Sequence, residues 1–289
     1  MTDRLHMRFR PFIFRSLFLG ASCSAFIGNA AETESSSSEL TTPEVAELSK
    51  SEMEQASKSD DLTLPMPGEF FAAIGKRNRP NWSLFYRTPL TLTYSNRAQI
   101  ALNLGGLIAD GYIAVEAQDG RQVKNIGKDI IALAKQLGVS GNVLGRGNSI
   151  TDFAENNEWN ALKEELEATQ NDVRADMAAM EDQDLVMLVN LGGWVRGTEV
   201  VSSVVATNYD PDDAKLLRQP AIIGYLIQQI EQSPQALQDE PLIFALKKKL
   251  IVVRDLAQFP IDHTPTSAEV IALRSAVGEL MPIITKPTK

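Results

Sequence analysis

Cysteine is nearly missing from this chain, and histidine is almost as scarce. One Cys, at position 23, and two His, at positions 6 and 263, stand among 289 residues. A lone thiol excludes an intrachain disulfide, and the Cys and His spacings of a structural zinc site are absent. Carboxylate-bridged iron sites of helical bundles use Glu-x-x-His motifs, and no such motif occurs. No metal and no cofactor are therefore expected. Basic excess is lacking too: 28 Lys and Arg stand against 37 Asp and Glu. That balance gives no nucleic-acid-binding face. Alternating apolar and polar runs long enough for a sheet are also missing, so the fold class expected is all-α.

What is present begins with a leader pattern. Arg4, Arg8, Arg10 and Arg15 precede the apolar stretch SLFLGASCSAFIG, and GNAAE offers small residues for cleavage after Ala30. This is the layout of a secretory signal peptide. The apolar stretch is short of the roughly 20 residues that a finished membrane span needs. Residues 1–30 are read as a signal peptide, placing the protein in the periplasm or outside the cell. The alternative is a retained N-terminal membrane anchor. With its net +3 removed, the whole-chain −9 becomes −12.

Residues 31–62 carry nine acids and two lysines among many Ser and Thr, and few large apolar groups. Such a segment buries too little surface to offset its ordering entropy and reads as a disordered acidic linker. It holds −7 of the −12, so the remaining body is near neutral at −5. That body, residues 63–289, is long enough for a single α-helical domain with a sizeable core. Prolines 65, 67, 80 and 89 mark its start as irregular and aromatic-bearing up to Tyr94.

Beyond Ser95 the apolar period is helical. Val123, Ile126, Ile130, Leu133 and Leu137 recur at three or four positions, with Gly138 placed as a C-terminal cap. Trp159, Leu162, Leu166, Val173, Met177 and Met180 do the same over residues 158–180, whose acids fall on a solvated face. Asp210-Pro211 opens another helix with a capping residue and proline at the first turn. Thr266 and Glu269 are spaced as a capping box.

Two stretches, ALNLGGLIADG from Ala101 and LVNLGGWVRG from Leu188, share Asn-Leu-Gly-Gly. A phosphate loop needs Lys-Ser/Thr or further Gly at fixed spacing after the pair. Here apolar residues follow instead, so both segments are expected to be central helices, apolar nearly all round. Inside a helix each Gly costs about 1 kcal/mol relative to Ala, which calls for a compensating contact. Small residues four apart let backbones approach: Ala101, Gly105 and Ala109 on one helix, Gly193 and Gly197 on the other. Gly105, Gly106, Gly192, Gly193 and Gly197 are therefore assigned to a helix crossing. The 87-residue offset hints at two related helical hairpins.

The segments NWSLFYR, RAQIALNLGGLIADGYIAV, KNIGKDI, LGGWVRGTEVVSSVV and LLRQP together resemble an exported, all-helical family of bacterial type. The resemblance spans roughly residues 65–230. It implies export and helices, and it carries no activity or catalytic residues.

Five groups of residues invite chemistry. Asp110, Arg196 and Glu199 interrupt the apolar helices; they read either as a buried ion-paired cluster or as polar groups of a ligand pocket. Asn103 and Asn190 are expected to satisfy backbone groups or each other. His263 beside Asp262 lacks a placed nucleophile and reads as a loop residue. GNVLGRGNSITDF, around Arg146, reads as an interhelical loop before a capped helix. Finally, Lys76, Arg77, Arg79 and Arg87 interleave with Phe70, Phe71, Trp82, Phe85 and Tyr86. Lys76, Arg77, Arg79, Trp82, Tyr86 and Arg87 form the candidate binding surface, suited to an envelope protein or an anionic surface.

The functional expectation is an exported soluble helical protein that binds or scaffolds in the cell envelope, with no catalytic motif. The alternative is a small-molecule binder or enzyme with a polar pocket around Asp110, Arg196 and Glu199.

Overall fold

The computed structural model describes residues 67–287 apart from 91, 140 and 261. The expected leader over 1–30 and linker over 31–62 lie outside these residues. Among the described residues there is no strand, and the fold is all-α.

The chain opens with α1 (Pro67–Asn78) and a short 3-10 turn over Trp82–Phe85. The proline-punctuated start is thus more regular than expected. Phe70, Phe71 and Ile74 lie on one side of a helix and are buried, while Pro67 stands at its first position, which suits proline, and Pro80 falls beyond its end.

Four helices then run back and forth: α2 (Arg97–Glu116), α3 (Gly120–Leu137), α4 (Gly141–Asn156) and α5 (Trp159–Ala179). Each packs on the one before it, and α5 also reaches α2. The stripe Val123, Ile126, Ile130, Leu133 and Leu137 is buried as its spacing predicts, and Gly138 ends α3 in the left-handed region at φ 88°. The GNVLGRG stretch, expected as a loop, is helical from Gly141 onward. Burial helps override its glycines: a Cβ at Gly147 would strike the side chain of Ile131 on α3. Arg146 pairs with Glu165 and Asp172 of α5, at 3.1 and 2.7 Å, so its charge is taken up by the protein's own carboxylates.

The longest helix, α6 (Gln183–Thr207), lies along α2. Three pairs follow the same order along both helices: Arg97 with Asp182 just before α6, Gly105 with Val189, and Asp110 with Arg196. The two central helices are therefore parallel. Both are buried nearly all round. By length and composition α2 alone among the described residues is apolar enough to cross a membrane, and its apolar window is wholly covered by the surrounding helices.

The C-terminal part comprises α7 (Pro211–Lys215), α8 (Pro220–Gln232), α9 (Gln235–Gln238), α10 (Pro241–Leu256), α11 (Ser267–Gly278) and α12 (Leu280–Thr285). Asp210 caps α7 by accepting from the N–H groups of Asp212 and Asp213, with Pro211 in the first turn. Thr266 and Glu269 form the capping box of α11. Helix α11 packs on α6, and α12 on α2. Asn103 does not meet Asn190: its Nδ2 donates to the Ile284 carbonyl at 3.0 Å, as does Gln99 Nε2 at 2.9 Å. These two buried amides satisfy a carbonyl near the end of α12 and tie the C-terminus to the central helix.

The glycine pairs divide their roles. A Cβ on Gly105 would lie 2.8 Å from the Val189 carbonyl carbon, and a Cβ on Gly192 would lie 2.8 Å from that of Leu102. Leu102 and Val189 are equivalent positions of the two motifs, so the crossing has a local two-fold symmetry. The second glycines do something else. Gly106 lies under the Arg87 guanidinium and Met281, whereas Gly193 touches Gly105 and also Pro67 of α1. Gly197 faces Pro67 and not the partner helix, which corrects its assignment to the crossing. Nor does the repeat extend to hairpins: α2 is followed by a long return helix on its flank, and α6 by the five-residue α7.

Candidate functional site

The charges buried between the central helices close on one another. Arg196 Nε donates to Asp110 Oδ1 at 2.7 Å, and Arg196 Nη1 donates to Glu199 Oε2 at 2.7 Å. Arg196 Nη2 donates to the Phe85 carbonyl. The second oxygen of Asp110 accepts from Arg87, through Nε at 2.9 Å and through Nη2. Two guanidiniums and two carboxylates thus balance to zero charge. Burial alone would pull the Arg196 guanidinium down, but Asp110 and Glu199 beside it hold it above the ordinary arginine value. Arg196 is 4% exposed and Asp110 is 7% exposed, so neither would be tolerated without the other.

Arg87 is the member that sequence spacing grouped elsewhere. It comes from the basic and aromatic segment, which the structure distributes differently from an open binding surface. Trp82 is buried edge-on against Phe71, with ring centroids 5.4 Å apart, and Phe70 and Phe71 are buried in the core. Arg77 pairs with Asp212 at 2.8 Å and lies 3.6 Å from Asp213. Tyr86 is half-buried, and its hydroxyl donates to Asp119 at 3.5 Å. Lys76 and Arg79 are exposed, Arg79 in the left-handed turn that ends α1. The aromatics dock on the bundle, and only part of the positive charge is left facing water.

What this segment builds instead is a cleft. Residues 86–90 form one wall, α3 the other, and Leu107 and Asp110 of α2 line it as well; its volume is about 290 Å³. Arg196 and Glu199 do not line it, so the pocket weighed from sequence around all three charges forms around Asp110 and Arg87 only. The α3 wall presents Gln122, Asn125, Ile126, Lys128 and Asp129. Positions 122, 125, 126 and 129 share one helix face. Among the described residues, the side chains of Gln122, Asn125, Lys128 and Asp129 make no hydrogen bond or ion pair. Arg87 Nη1 is likewise buried without a partner. Burial raises the Asp129 carboxyl above its ordinary value.

Sequence reasoning missed the α3 wall because these positions read as the solvated side of an amphipathic helix. The available signal was weak: Asp129 is an acid close to the apolar stripe with no cation three or four residues C-terminal to it. His263 lies elsewhere. It does not use Asp262; its Nε2 is 2.9 Å from Glu269 and its ring stacks on Phe259.

Compared with protein-family models, with curated proteins and with solved structures, the chain matches none. The cleft therefore has to be read from its own chemistry.

Proposed function

We propose that this protein is an exported binding protein and that the cleft between residues 86–90 and α3 is where it binds a small polar molecule. The observation that carries this reading is the contrast within the cleft. Its floor is a fixed, largely buried ion pair, Arg87–Asp110, while the polar side chains of its α3 wall have no partner among the described residues. Ligand pockets commonly combine a pre-formed concave surface with a few convergent polar groups, and this cleft has both. Leu90, Leu107 and Ile126 supply apolar surface beside them.

The chemistry favours binding over catalysis. Both oxygens of Asp110 are engaged by guanidiniums, which suits a fixed recognition group and not one that must exchange a proton. The exported location rests on the leader pattern of residues 1–30. The basic and aromatic segment serves by shaping a cleft wall, which replaces its reading as a surface for an anionic partner.

The test is a screen of the folded protein by amide NMR with a small-molecule extract from the cell envelope. Expected are shifts concentrated on α3 that disappear in Asn125→Trp, where a bulky ring fills the opening. Shifts elsewhere, or none, would overturn the assignment of the cleft.

A further inference from the structure

The cleft's ligand class can be narrowed, on the reading just given that the cleft is a binding site. Lys128 and Asp129 are neighbours in sequence, but adjacent helix positions point about 100° apart and do not face each other. They cannot neutralise one another, and among the described residues neither has another ionic partner; Lys128 is exposed and Asp129 partly buried. Two opposite, unpaired charges therefore flank one small opening. On the opposite wall the Arg87 guanidinium also lines the cleft, with Nη1 buried behind it. Asp110 is different, since Arg87 and Arg196 already hold it.

Each simpler ligand leaves something unmatched. A phosphate-like dianion would suit Lys128 and Arg87 but would place its charge beside the free Asp129 carboxylate. A plain amine would suit Asp129 and face Lys128. A neutral polyol would leave both charges to water and draw nothing from either of them. A divalent cation needs several oxygen ligands, and no group of three or more metal-ligating side chains exists among the described residues. At about 290 Å³ the cleft is at the low end of ligand pockets, roughly 300–1,000 Å³, so its occupant is small.

We infer that the cleft takes a small zwitterion of α-amino-acid size, its ammonium against Asp129 and its carboxylate toward Lys128 and Arg87. Gln122 and Asn125 supply both donors and acceptors along the same wall for the rest of the molecule. The raised Asp129 carboxyl fits this arrangement, because an ammonium beside it would offset the burial that raises it.

The experiment is a titration of the folded protein with four probes of similar size: L-alanine, propionate, propylammonium and glycerol. Binding is followed by amide shifts over α3, in wild type and in Asp129→Asn and Lys128→Gln. L-Alanine is expected to bind more tightly than either single-charge probe. Each substitution should weaken it by about tenfold or more, the size of one charge-assisted hydrogen bond. Lys124→Gln, one helical turn before Lys128, where Lys124 pairs with Glu155 of α4 and does not line the cleft, should leave it unchanged. Propionate, propylammonium or glycerol binding α3 as tightly as L-alanine would overturn the zwitterion and leave the cleft standing. No response on α3 to any probe up to about 10 mM, nor to the envelope extract, would overturn both.

Discussion

Gly105 and Gly192 occupy equivalent places on opposite sides of one helix crossing: each lies where a Cβ would strike the other helix's backbone, at Val189 and at Leu102. The contact is reciprocal because the same tetrapeptide approaches itself from two parallel helices. Backbone-to-backbone approach brings Asp110 within reach of Arg196.

Substituting either of these glycines is expected to be costly. Gly105→Ala and Gly192→Ala should each destabilise by about 1–3 kcal/mol or more, since the obstructing atoms are backbone and cannot rotate away. Gly224→Ala on α8 provides the opposite control. Nothing lies within 4 Å of its added Cβ, so helix propensity should raise stability by up to about 1 kcal/mol. Urea unfolding midpoints of the three variants decide it. Equal midpoints for all would remove the crossing.

Removing the buried carboxylate should cost more than removing a rim charge. Asp110→Ala strands the Arg87 guanidinium and leaves Arg196 with Glu199 alone as its carboxylate, and is expected to cost on the order of 3–5 kcal/mol. Glu199 is more exposed, and its loss leaves Arg196 with Asp110 and the Phe85 carbonyl, so Glu199→Ala should cost clearly less. Replacing Asp110 and Arg196 together by apolar residues should cost less than the sum of the single changes. A double-mutant cycle read by denaturant unfolding measures that coupling; additive effects below 1 kcal/mol would show that the two charges do not depend on each other.

Acid sensitivity should trace partly to the start of α11. The backbone N–H of Thr266, then His263 and the Thr266 hydroxyl, hold Glu269 at a pKa of about 2, below its ordinary 4.5. A depressed carboxyl pKa contributes stability above the unfolded value and loses it as pH falls through the folded one. The Glu269 contribution should therefore be complete above pH 4.5 and fade toward pH 2. Wild type and Glu269→Gln should differ in urea midpoint at pH 6 and converge between those limits. A constant difference across that range would contradict the assignment.

Export makes a separate prediction. Protein recovered from its native host should begin near Ala31 and appear in a soluble exported fraction. Intact-mass measurement checks this directly, and a retained Met1 would instead favour the membrane-anchored alternative.

Helix content was legible in the sequence because it depends on local periodicity and end signals. The α3 stripe, the Gly138 cap, the Asp210-Pro211 start and the Thr266–Glu269 box each follow from residues within a turn or two of one another. The apolar character of α2 and α6 likewise marked them as central, and the lack of any polar face made Asp110 and Arg196 conspicuous. Local signals failed where packing supplied the free energy. Helix α1 formed around Pro67 because Phe70, Phe71 and Ile74 found a core, and α4 formed through three glycines because α3 lay against it. The cleft was least accessible of all. Its walls are separated by more than 30 residues, from Tyr86 to Gln122, and its floor comes from a third element. Which side of α3 faces residues 86–90 depends on where Arg87 goes, and Arg87 goes to Asp110, lying over Gly106. No period or spacing encodes that choice: it is made by one long-range ion pair, and only the tertiary structure brings its two charges together.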